Sequence, residues 1–139
     1  MPIFSLLFAG LIFHSFAEAK SPDFSKGCND AKLTVGLSQT ELNQLKNMST
    51  VLSSAKFCAV ENAQGCSLSS LEVGGIVSNL GLENGDILTG STLGKISSLM
   101  DVLKSLDGLT KAEVQCLFFI RDGKQTMIRY TFVIAPTPR

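Results

Sequence analysis

The chain of 139 residues contains no tryptophan, one tyrosine and one histidine. Without indole rings or paired tyrosines there is no stacking platform for sugars or single-stranded bases, which argues against carbohydrate and nucleic-acid partners. Charge is also scarce: 12 basic residues balance 12 acidic ones, and charged residues make up 17% of the chain. That balance leaves no field to draw the protein towards a polyanion or an anionic bilayer, so any partner has to be chosen by a local surface. Hydrophobic residues reach 45% with nine phenylalanines, a composition that builds one packed domain and not a disordered segment.

A long apolar run is missing too. The longest stretch, residues 3–13, is interrupted by His14 and Ser15, short of the roughly 20 apolar residues a spanning helix requires. Residues 1–19 close in the small-residue pattern Ala17-Glu18-Ala19, which resembles a signal-peptidase site. A signal peptide cleaved after Ala19 is therefore expected, with an uncleaved inner-membrane anchor as the alternative. The mature chain would then be periplasmic or secreted. Cleavage would also remove His14, the sole histidine. Nucleophilic triads and histidine-containing zinc sites need an imidazole, so neither can be built from what remains. No catalytic residue, metal site or cofactor is expected.

What cysteine there is comes as an even set: Cys28, Cys58, Cys66 and Cys116. In an exported chain this favours two disulfides, although four buried thiols in a reducing compartment are the other reading. Three pairings are possible. Cys58 and Cys66 flank the polar, turn-rich stretch 59–65, where a hairpin would bring them opposite one another. The preferred pairs are therefore Cys58 with Cys66 and Cys28 with Cys116.

Residues 20–33 read as an irregular arm, apart from a short strand that begins near Lys32 and runs to Leu37. Ser38 and Glu41 have the spacing of a capping box. Leu42, Leu45, Met48, Val51 and Leu52 then recur at intervals of three and four, predicting one helix to about Ala55 with an apolar stripe on the core. Residues 56–60 and 66–73 predict a hairpin, and 76–80 a short helical turn. Asn84-Gly85 predicts a tight turn leading into a buried strand at Ile87 and Leu88. A helix over 96–106 follows, capped by Ser97 or Ser98 and stopped by Asp107-Gly108. The runs 114–120 and 126–134 predict a closing hairpin around Asp122-Gly123. Glu83 and Asp86 flank the Asn84-Gly85 turn and read as solvated turn residues. Arg121, Lys124 and Arg129 read as surface charge.

This order of elements, with Gly81-Leu82-Glu83-Asn84-Gly85-Asp86-Ile87-Leu88 and Arg121-Asp122-Gly123-Lys124 in it, resembles a bacterial PDZ domain. The upstream helix followed by Ala55-Lys56-Phe57 makes it most similar to the periplasmic PDZ region of the type II secretion inner-membrane protein C. The resemblance spans residues 34–134 and leaves 135–139 as a tail. It implies an α+β, PDZ-like fold: a small, partly open antiparallel β-barrel or sandwich of about five to six strands with two or three helices. It also implies a non-catalytic module that binds a protein or peptide segment by strand addition, a secretion-apparatus component or an exported substrate. Carried over by position, the carboxylate-binding loop is Gln64-Gly65-Cys66-Ser67, the edge strand continues through Leu68 and Ser70, and the helix wall is Leu99, Val102, Leu103 and Leu106. The contrasting expectation is that these leucines fill the core and the groove is unused. The chain would then be a free-standing, disulfide-stabilised secreted protein with an effector-like or inhibitory role.

Overall fold

A computed structural model describes residues 28–132. The expected signal segment, most of the N-terminal arm and the C-terminal tail lie outside the described residues. In chain order the elements are β1 (Leu33–Leu37), α1 (Gln39–Lys46), α2 (Met48–Ser53), β2 (Lys56–Phe57), β3 (Cys66–Ser69), α3 (Ile76–Asn79), β4 (Ile87–Ser91), β5 (Gly94–Lys95), α4 (Leu99–Thr110), β6 (Cys116–Arg121) and β7 (Lys124–Phe132). The fold is α+β, as expected. It is not an antiparallel barrel. One open sheet of seven strands runs in the order β1-β7-β6-β4-β3-β2, with β5 paired to β4. The sheet is mixed because β1 lies parallel to β7, with Leu33 opposite Ile128 and Leu37 opposite Phe132.

Local chemistry explains most boundaries. At the start of α1 the Ser38 hydroxyl accepts the Glu41 N–H at 3.3 Å, while the Glu41 carboxylate accepts the Ser38 N–H at 2.8 Å. This is the reciprocal box that the sequence predicts. The single helix expected to Ala55 is instead two. Asn47 has extended backbone (φ −97°, ψ 101°), ends α1, and caps α2 by accepting the Thr50 N–H. Asparagine competes for backbone donors in this way, which is why it starts helices more readily than it continues them. The break turns the stripe: Leu45 and Val51 are buried, but Met48 and Leu52 are exposed at 49% and 43%.

Helix α4 departs from expectation at its other end. It passes through Asp107-Gly108 to Thr110 because Leu109 beyond the glycine is fully buried and Gly108 gives Val114 room to pack, a Cβ there lying 2.6 Å from Val114 Cγ2. Core burial outweighs the propensity cost of about 1 kcal/mol for an interior glycine. The turn between β6 and β7 behaves as predicted, with Asp122 and Gly123 at φ 54° and 76°, the left-handed pair that a two-residue hairpin turn requires.

Strand β6 is buried on both sides. Leu117 and Phe119 face the main core with residues of all four helices, including Leu45, Val51, Val77 and Leu106. Cys116 and Phe118 face a second cluster with Cys28 and Met127. This follows from the two-residue alternation of a strand. The Cys28–Cys116 disulfide fastens that second face, and Cys58–Cys66 closes the β2–β3 loop. Both preferred pairs are therefore formed, and all four cysteines are used.

Candidate functional site

The expected edge strand is an interior one. Cys66 and Ser67 of β3 pair with Leu88 and Ile87 of β4, and Leu68 and Ser69 pair with Phe57 and Lys56 of β2. Cys66 and Leu68 are buried completely, at 0% and 1% exposure. Ser70 lies past the strand end, exposed and at φ 50°. The expected carboxylate loop is spent on itself: Asn62 accepts the Gln64 N–H on its side-chain oxygen at 2.8 Å and the Gly65 N–H on its carbonyl at 3.3 Å. Gly65 is required by close packing against β4, since a Cβ there would land on the Leu88 carbonyl oxygen. Of the expected helix wall, Val102 and Leu106 belong to the core, Leu103 is half-buried, and Leu99 is 38% exposed.

The open edge is one strand further out. β2 ends the sheet order. Cys58 donates its N–H to the Ser67 carbonyl at 2.8 Å, inwards to β3. In an antiparallel ladder successive residues alternate between bonded and non-bonded pairs, so the Phe57 N–H and C=O point outwards. Beside them lies a shallow groove of about 260 Å³ lined by Leu52, Ala55, Lys56, Phe57, Ala59 and Leu99. Three local devices hold its walls. Ser54 is buried, its hydroxyl donates to the Val51 carbonyl at 2.8 Å, and its own carbonyl accepts the Glu72 N–H at 2.8 Å, which sets the approach of α2 to β2. Cys58 sits at φ 56° and is tied to Cys66, which ends β2 abruptly. Ser98 caps α4 by accepting the Asp101 N–H at 3.2 Å, presenting Leu99 at the helix start. Met100 is 60% exposed beside it.

A second hollow of about 700 Å³ adjoins the groove at Ala59 and is lined by the 58–65 loop and Ser97. It is more polar, with Glu61 and Asn62 on one side. Ser97 is held in turn by Asp101, whose carboxylate accepts the Ser97 N–H at 2.9 Å and the Ser97 hydroxyl at 3.1 Å. The Ser97 backbone bond, first among several, holds the Asp101 carboxyl below its ordinary pKa.

Asp86 and Arg121 are not the solvated charges expected. Asp86 is 1% exposed, and Arg121 grips both its oxygens, Nε to Oδ1 at 2.9 Å and Nη2 to Oδ2 at 2.7 Å. The same Nη2 donates to the Gly81 carbonyl at 2.9 Å, and Asp86 Oδ2 accepts the Glu83 N–H at 2.8 Å. The guanidinium carbon stands 4.9 Å from the Phe119 ring centre. Tyr130, deeply buried, donates its hydroxyl to the Leu80 carbonyl at 2.6 Å, and burial pushes its pKa up. These contacts clamp residues 80–86 on the final hairpin and keep the aspartate out of solvent. They organise the loop and do not form an acid–base pair.

Of the groove residues, only Leu99 was expected as part of a site; Leu52, Ala55, Lys56, Phe57 and Ala59 were not. The sequence carries no signal for them, because residues 56–60 read as an ordinary hairpin strand and only the strand order places β2 at the sheet edge. Among the described residues no cluster of three or more metal-ligating side chains occurs and no helix is long and apolar enough to cross a membrane. The two disulfides fit an oxidising setting outside the cytoplasm. No protein-family model, no curated protein and no solved structure matches the chain.

Proposed function

We propose that the protein is a non-catalytic, PDZ-like interaction module that works outside the cytoplasm and binds an extended segment of another protein by strand addition. The observation that carries this reading is the outward-facing backbone of Phe57 at the sheet edge, beside the apolar groove of Leu52, Phe57 and Leu99. An unpaired edge gives main-chain hydrogen bonds and the adjoining groove gives a side-chain anchor, the two parts of β-augmentation. The element order and the Gly81 to Leu88 motif support a role in, or related to, a type II secretion assembly. The disulfides favour a second reading, a free-standing secreted protein whose groove is idle; it predicts release of the mature chain into the medium.

The test is selection of random displayed peptides on the full chain, followed by binding of the selected peptides to Leu99→Lys and Phe57→Pro variants. Proline is tolerated at an edge position whose N–H faces outwards, so Phe57→Pro should fold while losing the donor. Selected peptides should bind the wild type and lose at least about tenfold in affinity to each variant, roughly the 1.4 kcal/mol of one good contact. Absence of any selected peptide, or equal binding by all three proteins, would overturn the groove. Crosslinking of the tagged chain in its native envelope would then show whether secretion-apparatus components are its neighbours.

A further inference from the structure

The Cys58–Cys66 disulfide breaks the alternation of the strand it ends. Phe57 packs against the main core, and so do Cys66 and Leu68 of β3. Because Phe57 pairs with Leu68, a regular continuation of the ladder would set Cys58 opposite Ser67 and Ala59 opposite Cys66. The Cys58 side chain would then lie on the face opposite Phe57, away from Cys66. Cys58 instead packs on the same core as Phe57. It gets there by taking φ 56°, a left-handed backbone that costs free energy in any residue with a Cβ. The next rung of the ladder is begun and not continued: Cys58 donates its N–H to the Ser67 carbonyl at 2.8 Å, yet β2 stops at Phe57. The disulfide and a longer β2 therefore exclude one another. Access also separates the two disulfides. Cys58 is half-buried and lines the polar hollow, whereas Cys28 and Cys116 are 7% and 0% exposed. Strained or exposed bonds are the ones that thiols reduce most readily. The turn beyond is held separately, by Asn62 accepting the Gln64 and Gly65 N–H groups.

We infer that the Cys58–Cys66 disulfide is a redox switch that sets the length of the open sheet edge. The reductant is a dithiol, of the paired-cysteine class that exchanges disulfides with other proteins. One of its sulfurs attacks Cys58 Sγ; the Cys58–Cys66 bond breaks and Cys66 leaves as a thiol. The reductant's second sulfur then displaces Cys58, so two electrons and two protons pass to the protein's pair and the reductant ends as a disulfide. Freed, Cys58 takes extended backbone, β2 runs on through Ala59, and Ala59 joins Phe57 as a second residue with its N–H and C=O outwards. The consequence for binding rests on the strand-addition reading above: the longer edge of the reduced chain holds an added strand more tightly.

The experiment treats the full chain with graded dithiothreitol under native conditions and maps the freed thiols by alkylation and mass spectrometry. Cys58–Cys66 should open at least about tenfold faster than Cys28–Cys116. In the selectively reduced chain, NMR should show a new α-proton contact between Ala59 and Cys66, the mark of a non-hydrogen-bonded pair. Exchange of the Ser67 amide should slow at least about tenfold as it gains the Cys58 carbonyl. The Cys58→Ser/Cys66→Ser protein should show both signs without reductant, with thermal melting to check that it folds; if it does not, the reduced wild type decides. Equal opening of the two disulfides, or a reduced chain whose β2 still ends at Phe57, would overturn the inference. Peptides selected on the oxidised chain should bind the reduced form at least about tenfold more tightly. Equal binding by both forms would overturn the regulation and leave strand addition standing. A longer β2 with no peptide bound by either form would overturn strand addition and uphold the switch.

Discussion

Arg121 is one residue with five obligations: two oxygens of Asp86, the Gly81 carbonyl, the Glu83 carboxylate at 3.5 Å and the face of Phe119. Deleting it leaves a carboxylate at 1% exposure without its counter-charge. Breaking a buried pair from one side costs about 3–5 kcal/mol, far more than an exposed pair contributes. Arg121→Ala should therefore lower the melting temperature by more than about 10 °C in a domain of this size, measured by thermal unfolding; a change of only a degree or two would mean that Asp86 finds water instead. By contrast Lys111 and Asp107, 2.9 Å apart but both more than half exposed, are a surface pair. The difference could not be read from residue types. Asp86 and Arg121 lie 35 positions apart, and only the meeting of β4 with β6 makes one the partner of the other.

At the scale of elements, the two disulfides act on different loops. Cys58 and Cys66 are 8 positions apart and Cys28 and Cys116 are 88 apart. Chain-entropy estimates assign about 2.5 kcal/mol to the short loop and about 4.5 kcal/mol to the long one. Urea unfolding of the Cys58→Ser/Cys66→Ser and Cys28→Ser/Cys116→Ser pairs should show that order. The reverse order would mean that the second cluster around Phe118 holds without its covalent tie. Elements whose cause is local were legible beforehand: the Ser38–Glu41 box, the Asp122-Gly123 turn and the short pair of cysteines each depend on residues within a few positions. Elements decided by packing were not. α4 ran on past Gly108 because Leu109 had a place in the core, whereas the break at Asn47 is local in cause and was hidden by the apolar spacing that continues across it.

Across the whole molecule, stability falls from the centre of the sheet to its end. β6 lies between β4 and β7 and is buried throughout most of its length, whereas β2 has two residues and one neighbour. Hydrogen exchange should follow this gradient, with Leu117 and Phe119 amides opening only on global unfolding and the outward Phe57 amide exchanging fast in the free protein. Slow exchange at Phe57 without ligand would mean that the edge is already covered. Composition and periodicity by themselves determined that the chain builds one packed domain of short helices and strands, that α1 starts at Ser38 and the last hairpin turns at Asp122-Gly123, and which cysteines face each other across a short loop, because those outcomes depend on burial propensity and nearest neighbours along the chain. Tertiary structure alone decided that β3 is interior and β2 the edge, that Val102 and Leu106 are core while Leu52 and Leu99 border a groove, and that Asp86 is buried. Strand order sets each of these, and strand order follows from the combined packing of segments far apart in sequence, which no local pattern records.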